Sequence, residues 1–590
     1  MNKYYRDVVR RFSEKENRIF AFFGLLILLL FISLQISLVR SLIIDIAEFF
    51  LNRTISYEIW NSKLIRYSLY LIIPIILCLL IAVFDVYNQY PKILSTWEGF
   101  LNNHKWIRTA SIILIWLTII VLFSLNNITN PDFWFDESGQ FWVAKGLNHV
   151  SEPYSQVGTI GDLIQNNRVY NLDPGGFTLL LRYWTMIANS PIFLRLLPLM
   201  FFSLSMILVS RLCLIWYPNH PFSFFAGFIL LFSSLLKYYA FELRPYSMEM
   251  FTALASLFLC HKIPKILSSG KTAIFAGLAM ALLLTSRYPA FLTIGVLGCF
   301  TFYELISKEI TKQSIINFTI FITPIVISAA AIYFFTFQFQ FPRANPPSYV
   351  DDFMLLTGNS WDILFNLETI KVYAPFLILL SLFIFKFKNV PINQFKKYFS
   401  FTIILNILFA ILSLTGKHPW SFITKWDISI HVIMLLSLLP FIFFGLNQFE
   451  KIFNVKRMTN LFFNITFIFI SAIIATNYTY SGFGSIYDNF TECQVVKNEN
   501  VTILATNYAS PTIRYFFEFG PLNKYDQIYQ NINFSGNSGG PEYINDFDYI
   551  ILPHWYDISY EIIQEMNLND NWKECSKNKY SKMYINTNIH

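Results

Sequence analysis

Stretches of about twenty consecutive apolar residues recur along this chain from residue 19 onward, separated by short polar loops, and each is long enough to cross bilayer hydrocarbon as a helix. Continuous runs, unlike alternating ones, build helices rather than an outer-membrane barrel, because in lipid every backbone amide must be satisfied within its own segment. Of the 590 residues only 14% are charged, against roughly 25% in a soluble protein. A soluble enzyme, a disordered chain and a coiled coil are therefore excluded. The net charge of +7 is a topology signal rather than evidence for nucleic acid, because in such a chain the placement of Lys and Arg outweighs their sum.

The basic segment ending in Arg10, Arg11, Lys15 and Arg18 precedes the first run, 19–39, and predicts a cytoplasmic N-terminus. The run is longer than a signal-peptide core and no small-residue cleavage site follows, so it is expected to remain as a span. Further spans are expected near 68–87, 109–126, 195–216, 221–239, 246–260, 272–286, 289–305, 315–336, 369–385, 398–415, 428–446 and 459–478. Residues 177–189 form a shorter apolar stretch containing Arg182 and read as a helix lying in the interface. On this count the Lys-rich short loops all fall on one side, giving about thirteen helices with the N-terminus in and the C-terminus out.

Three regions follow. Residues 1–108 carry the cytoplasmic segment and two helices, and residues 109–478 carry the main membrane module with a large external loop at 127–194. Residues 479–590 turn polar and read as a small soluble α/β domain, with strands near 501–506 and 549–553 and helices near 511–519 and 560–566. Cys493 and Cys575 are its only cysteines, and an exported location would permit a disulfide between them. The other four cysteines lie in apolar runs and read as packing residues.

The polar chemistry collects on the expected external side. The segment 130–147, NPDFWFDESGQFWVAKGL, sets Asp136 and Glu137 among Phe133, Trp134, Phe135, Phe141 and Trp142. Adjacent carboxylates in such surroundings are costly unless used or paired, and a partly desolvated carboxylate is what a general base requires. Taken alone, they read rather as acidic residues favouring the N-terminus of the helix 138–147. Their company argues for function: Asp173 in NLDPGG, Glu242, Arg244 and Tyr246 in FELRPY, Arg287 in SRYP, Arg195 at a span start, and His418, Lys425 and Trp426 in a late loop. Singly, each Arg reads as snorkelling to headgroups; gathered at one face, they suit a phosphate-bearing substrate.

In this arrangement the chain, over about 109–446, resembles the GT-C glycosyltransferases of the protein O-mannosyltransferase and lipid A aminoarabinose transferase group. It departs from that pattern in its two extra N-terminal helices, in Asp173-Pro-Gly-Gly where relatives often have His-Pro-Pro, and in Lys425-Trp426 where many have Arg-Tyr. The resemblance implies a polyprenyl-phosphate sugar as donor, and the absence of a nucleotide-binding fingerprint agrees with a lipid-carried sugar. The expected reaction is inverting sugar transfer to an envelope glycan, lipid or protein on the external face. Asp136 is expected to act as base, with Glu137 orienting the acceptor or assisting catalysis. Arg195, Arg244, Arg287 and Lys425 are expected on the departing phosphate, and Tyr246 and Trp426 along the sugar or isoprenoid. A divalent metal near Asp136 and Glu137 is allowed but not demanded by ligand spacing. Abundant Asn, Ile, Lys and Phe fit an AT-rich bacterial genome, and hence a bacterial inner membrane. The alternatives are a transporter or flippase for a lipid-linked glycan, which would place charges mid-helix within inverted repeats, or a C-terminal binding module with a membrane anchor.

Overall fold

The computed structural model describes residues 105–587 except 126, 129–132, 134, 149–153, 219, 308–309, 341–366, 385–391, 415–426, 454–455, 479–485, 496–500, 507–508, 521, 536–546, 554–570 and 578–580. The expected spans at 19–39 and 68–87, the helix near 560–566, and His418, Lys425 and Trp426 lie outside the described residues. Two compact units are present. The described residues of one fall within 105–119 and 439–470 and are helical. The other comprises 120–438 together with 471–590, and it holds every described candidate residue.

Among the described residues five helices are long and apolar enough to cross a membrane: Pro191–Trp216, Pro289–Ser307, Lys312–Gln340, Phe395–Leu412 and Ile428–Leu446. Only 22% of the most apolar window of Lys312–Gln340 is buried, and Val326, Ile327, Phe334 and Phe335 stand exposed along it. Such a surface is stable against lipid and not against water. By contrast all eight residues of Ile428–Leu435 are buried. Tyr246–Cys260 and Gly270–Leu284 have 15 residues each, about 22 Å of helix, short of the roughly 30 Å hydrocarbon core.

One expected span takes a different form. Residues 221–239 are split into 3-10 turns at Pro221–Phe224 and Ala226–Phe232 and a six-residue helix, Ser234–Tyr239. Pro221 begins the first piece without an N–H to donate, the Gly227 amide donates to Ser210 Oγ at 2.9 Å, and Ser233 Oγ caps the last piece by accepting from the Leu236 amide. Hydropathy could not reveal this, because the stretch is predominantly apolar over its whole length. The expected interfacial helix is Gly176–Thr185, about 15 Å long and too short to span. Its Arg182 is buried, donating to Gly158 O at 2.7 Å and to Ala144 O at 3.4 Å.

The C-terminal segment builds a five-stranded mixed sheet in the order β2-β1-β3-β5-β4, with β1 Ile503–Thr506, β2 Ile532–Ser535, β3 Tyr549–Pro553, β4 Trp572–Lys577 and β5 Ser581–Asn586. β1 pairs parallel with β2 and β3; β5 pairs antiparallel with β3 and β4. Alternation along β1 places Ile503 and Ala505 in a core with Ile513, Phe516, Phe517 and Ile551, while Leu504 faces Ile550 and Leu552 on the other side. Cys493 and Cys575 form a disulfide tying the Ile486–Glu492 helix to β4.

Candidate active site

Asp136 and Glu137 occupy the first turn of the Phe135–Ala144 helix, where the partial positive charge of the helix N-terminus favours carboxylates. Their surroundings nevertheless differ. Glu137 is wholly buried: Oε1 accepts from the Leu243 amide at 2.9 Å, and Oε2 lies 3.6 Å from Arg195 Nη2, both side chains having 0% exposure. The Arg195 guanidinium also stacks 4.9 Å over the Phe133 ring. Glu137 thus faces Arg195 through one oxygen and, through the other, holds the 241–245 loop at Leu243. Asp136, one residue earlier, is half-buried and lies within electrostatic reach of Arg244.

Arg244 sits at the centre of the polar cluster. Glu137 holds its loop through Leu243, and a tight turn from the Arg244 amide to Glu242 O, at 2.7 Å, projects the guanidinium. Arg244 Nη1 donates to Gln140 Oε1 at 3.1 Å and to Asn171 Oδ1 at 3.4 Å. Gln140 in turn donates to Thr178 Oγ1, which donates to Asn167 Oδ1, and Asn171 donates to the same oxygen at 2.9 Å. Asp136, Asp173, Glu242 and Tyr246 surround Arg244 electrostatically.

Asp173 is 2% exposed, with Oδ1 accepting from the Gly175 amide at 2.9 Å. Burial pushes its carboxyl above the usual range, against the opposing pull of Arg244 and of that amide. Its Oδ2 and the Nε of Arg244 are buried without hydrogen-bond partners among the described residues. The glycines after Asp173 have local causes. Gly175 has φ +88°, and a Cβ on Gly176 would lie 1.7 Å from Thr285 Oγ1. The Gly176 amide donates to Thr285 O at 3.0 Å, which brings the Asp173 loop against the turn that carries Arg287.

Arg287 donates to Glu249 Oε2, and its guanidinium lies 4.5 Å over the Tyr246 ring, which itself packs 4.3 Å from Tyr239. Glu249 Oε1 accepts from the amide of Ser429 at 3.1 Å and from its hydroxyl at 2.7 Å, linking Arg287 to the start of Ile428–Leu435. Tyr246 and Glu242 are buried, at 2% and 1% exposure. Asp136, Asp173, Glu242, Arg244, Tyr246 and Arg287 therefore share one neighbourhood. Sequence reading did not single out Glu249, Gln140, Asn171 or Asn167. For Glu249 a signal existed, a carboxylate inside an apolar run, which is costly in a membrane unless paired; for the amides none did. Among the described residues no three His, Cys, Asp or Glu side chains converge as a metal site.

No protein-family model matches the chain, and no curated protein matches it. Among solved structures it is similar to ArnT from Cupriavidus metallidurans in the apo state, at 8% identity and a TM-score of 0.45, covering 82% of this chain and 98% of that one. It is also similar to ArnT bound to undecaprenyl phosphate, at 8% identity and a TM-score of 0.40, covering 81% and 98%. In this chain the polar cluster draws its side chains from the Phe135–Ala144 helix and from the 171–176, 241–246 and 285–288 segments, with Glu249 reaching across to Ser429.

Proposed function

We propose that the protein is a membrane glycosyltransferase that moves a sugar from a polyprenyl-phosphate donor to an acceptor on the external face, with inversion at the anomeric carbon. The observation that carries this reading is the divergence of two neighbouring carboxylates: Glu137 is engaged by Arg195 and the Leu243 amide, while Asp136 stays half-buried beside Arg244. Asp136 takes the proton of the acceptor's nucleophilic group as that atom bonds to the anomeric carbon. The bond from that carbon to the phosphate oxygen breaks, and its electron pair leaves with the lipid phosphate. Arg244 and Arg287 supply positive charge where the phosphate gains it, and the networks through Gln140, Asn171 and Glu249 fix both guanidinium groups before the reaction begins. Glu137 and Arg195 act from behind, by holding the 241–245 loop. Lys425 and Trp426 belong to this proposal on sequence grounds alone. The external placement rests on the distribution of Lys and Arg among the loops, and it carries with it a multi-pass inner-membrane location with an exported C-terminal domain.

The test is an Asp136→Asn protein, purified and shown to unfold at the parent's midpoint, assayed for transfer from lipid donor extracted from a deletion strain. A general base contributes about 10²–10⁴ in rate, so turnover is expected to fall at least a hundredfold. Near-normal turnover would remove Asp136 from the role of base.

A further inference from the structure

The Phe135–Ala144 helix is held from two sides. Glu137 and Gln140, three residues apart, face the 241–246 loop, as described above. Its other face, Phe135, Ser138, Phe141 and Trp142, is covered by the C-terminal segment. Phe135 packs into the hydrophobic core of the sheet. Ser138 Oγ lies 2.8 Å from Thr512 Oγ1, and Trp142 Nε1 donates to Pro511 O at 2.8 Å. The Arg514 guanidinium lies 4.1 Å over the Trp142 ring, and its Nε pairs with Glu518 at 2.6 Å. Glu518 also accepts from the Tyr154 amide at 2.9 Å, so the clamp reaches beyond the helix's C-terminal end.

Tyr515 lies at the centre of this contact. Its ring meets Phe133 edge-on at 4.6 Å and Phe141 at 5.0 Å. Its hydroxyl donates to Asn189 O at 2.8 Å, just ahead of the Pro191–Trp216 helix that carries Arg195. One buried side chain thus touches the segments that bear both halves of the Glu137–Arg195 pair. Such a contact fixes the depth and rotation of the helix bearing Asp136. Displacements near 1 Å at a reacting group cost about a hundredfold in rate.

We propose that the Ser510–Glu518 helix is a built-in positioning element of the transfer site, with Tyr515 as its central positioning residue. The kinetic part rests on the glycosyl-transfer reading above; the docking itself does not. Two arms test it on the full-length protein. In the first, Tyr515→Ala is expected to lower kcat at least about tenfold while the KM for lipid donor stays within about twofold, whereas Tyr515→Phe, which keeps both ring contacts, stays within about threefold of the parent. In the second, Ser138→Cys and Thr512→Cys are combined, and the cross-link is identified by peptide mass. Oxidation is expected to form it in the doubly substituted protein that keeps Tyr515, and the tether is expected to restore most of the kcat lost in Tyr515→Ala.

Unchanged kcat in Tyr515→Ala would overturn the proposal. So would a tether that restores the unfolding midpoint without restoring kcat, since that is what a merely structural contact predicts. Failure of the cross-link to form would overturn the docking, whatever the transfer assay reads. Absence of transfer by the parent protein with the cross-link formed would instead overturn the glycosyl-transfer reading.

Discussion

Replacing Glu137 by Gln keeps the shape of the side chain and an oxygen for the Leu243 amide, but removes the charge opposite Arg195. At 3.6 Å and an effective dielectric of about 20, the attraction removed is about 4.6 kcal/mol. Arg195 would then be left charged in a site where its side chain has 0% exposure, and stranding one member of a buried pair costs about 3–5 kcal/mol. Arg195→Met should cost a similar amount by stranding Glu137. The double variant removes both charges and is expected to lose at least about 2 kcal/mol less than the sum of the singles. The assay is equilibrium unfolding in mixed micelles titrated with SDS and followed by tryptophan fluorescence, with all four proteins compared. If Glu137→Gln unfolds within about 1 kcal/mol of the parent and the double variant is additive, the pair does not hold the 241–245 loop. If the variant is stable yet inactive, Glu137 belongs to the chemistry after all, as its place beside Asp136 in the sequence suggests.

Gly176→Ala would place a Cβ 1.7 Å from Thr285 Oγ1 and 2.7 Å from Thr285 O, with an expected loss of about 3 kcal/mol by the same unfolding assay. Thr285→Ala should relieve this only in part, since the backbone oxygen stays, and parent-like stability of Gly176→Ala would show that the two turns are not packed as described. Because burial raises the Asp173 carboxyl above its unfolded value, ionising it opposes folding. Stability should fall as pH rises from the ordinary carboxylate range through the raised folded value. Asp173→Asn should therefore be more stable than the parent at neutral pH, with the gain vanishing in acid; a loss of stability at neutral pH would mean that Arg244 outweighs desolvation. The Glu137 carboxylate is engaged by Arg195 and Leu243 rather than turned out beside Asp136. Chelation by EDTA should accordingly leave transfer within about twofold, whereas loss of a catalytic metal would remove several kcal/mol of transition-state stabilisation.

What the sequence could and could not show follows from the range of the interactions involved. Apolar run length is a local property, so Pro191–Trp216 and Ile428–Leu446 are readable as spans from residue order and hydropathy. The breaks in 221–239 involve, beside the local Pro221 and Ser233, Ser210 in the preceding helix accepting from the Gly227 amide. Asp136, Arg244 and Arg287 are legible because charge is scarce in this chain and each stands out at the end of an apolar run. Which carboxylate of the pair faces Arg195 is not legible, since adjacent residues on a helix face directions about 100° apart and their partners come from other segments. The Asn167–Thr178–Gln140–Asn171 network is invisible for a different reason: neutral amides and hydroxyls at helix ends are common, and only their convergence on Arg244 distinguishes these.

The C-terminal segment is the sharpest case. Its composition marks it as a separate soluble domain, yet it falls in the same compact unit as 120–438. Contacts such as Ser138 with Thr512, 374 residues apart, have no local signature. Arg514, a cation in a segment of polar composition, is 1% exposed against Trp142. A helix of ten residues, such as Phe135–Ala144, is too short to hold its own geometry in isolation. The carboxylate it carries therefore owes its position to what is packed on both faces of that helix, and one of those faces is supplied by the far end of the chain.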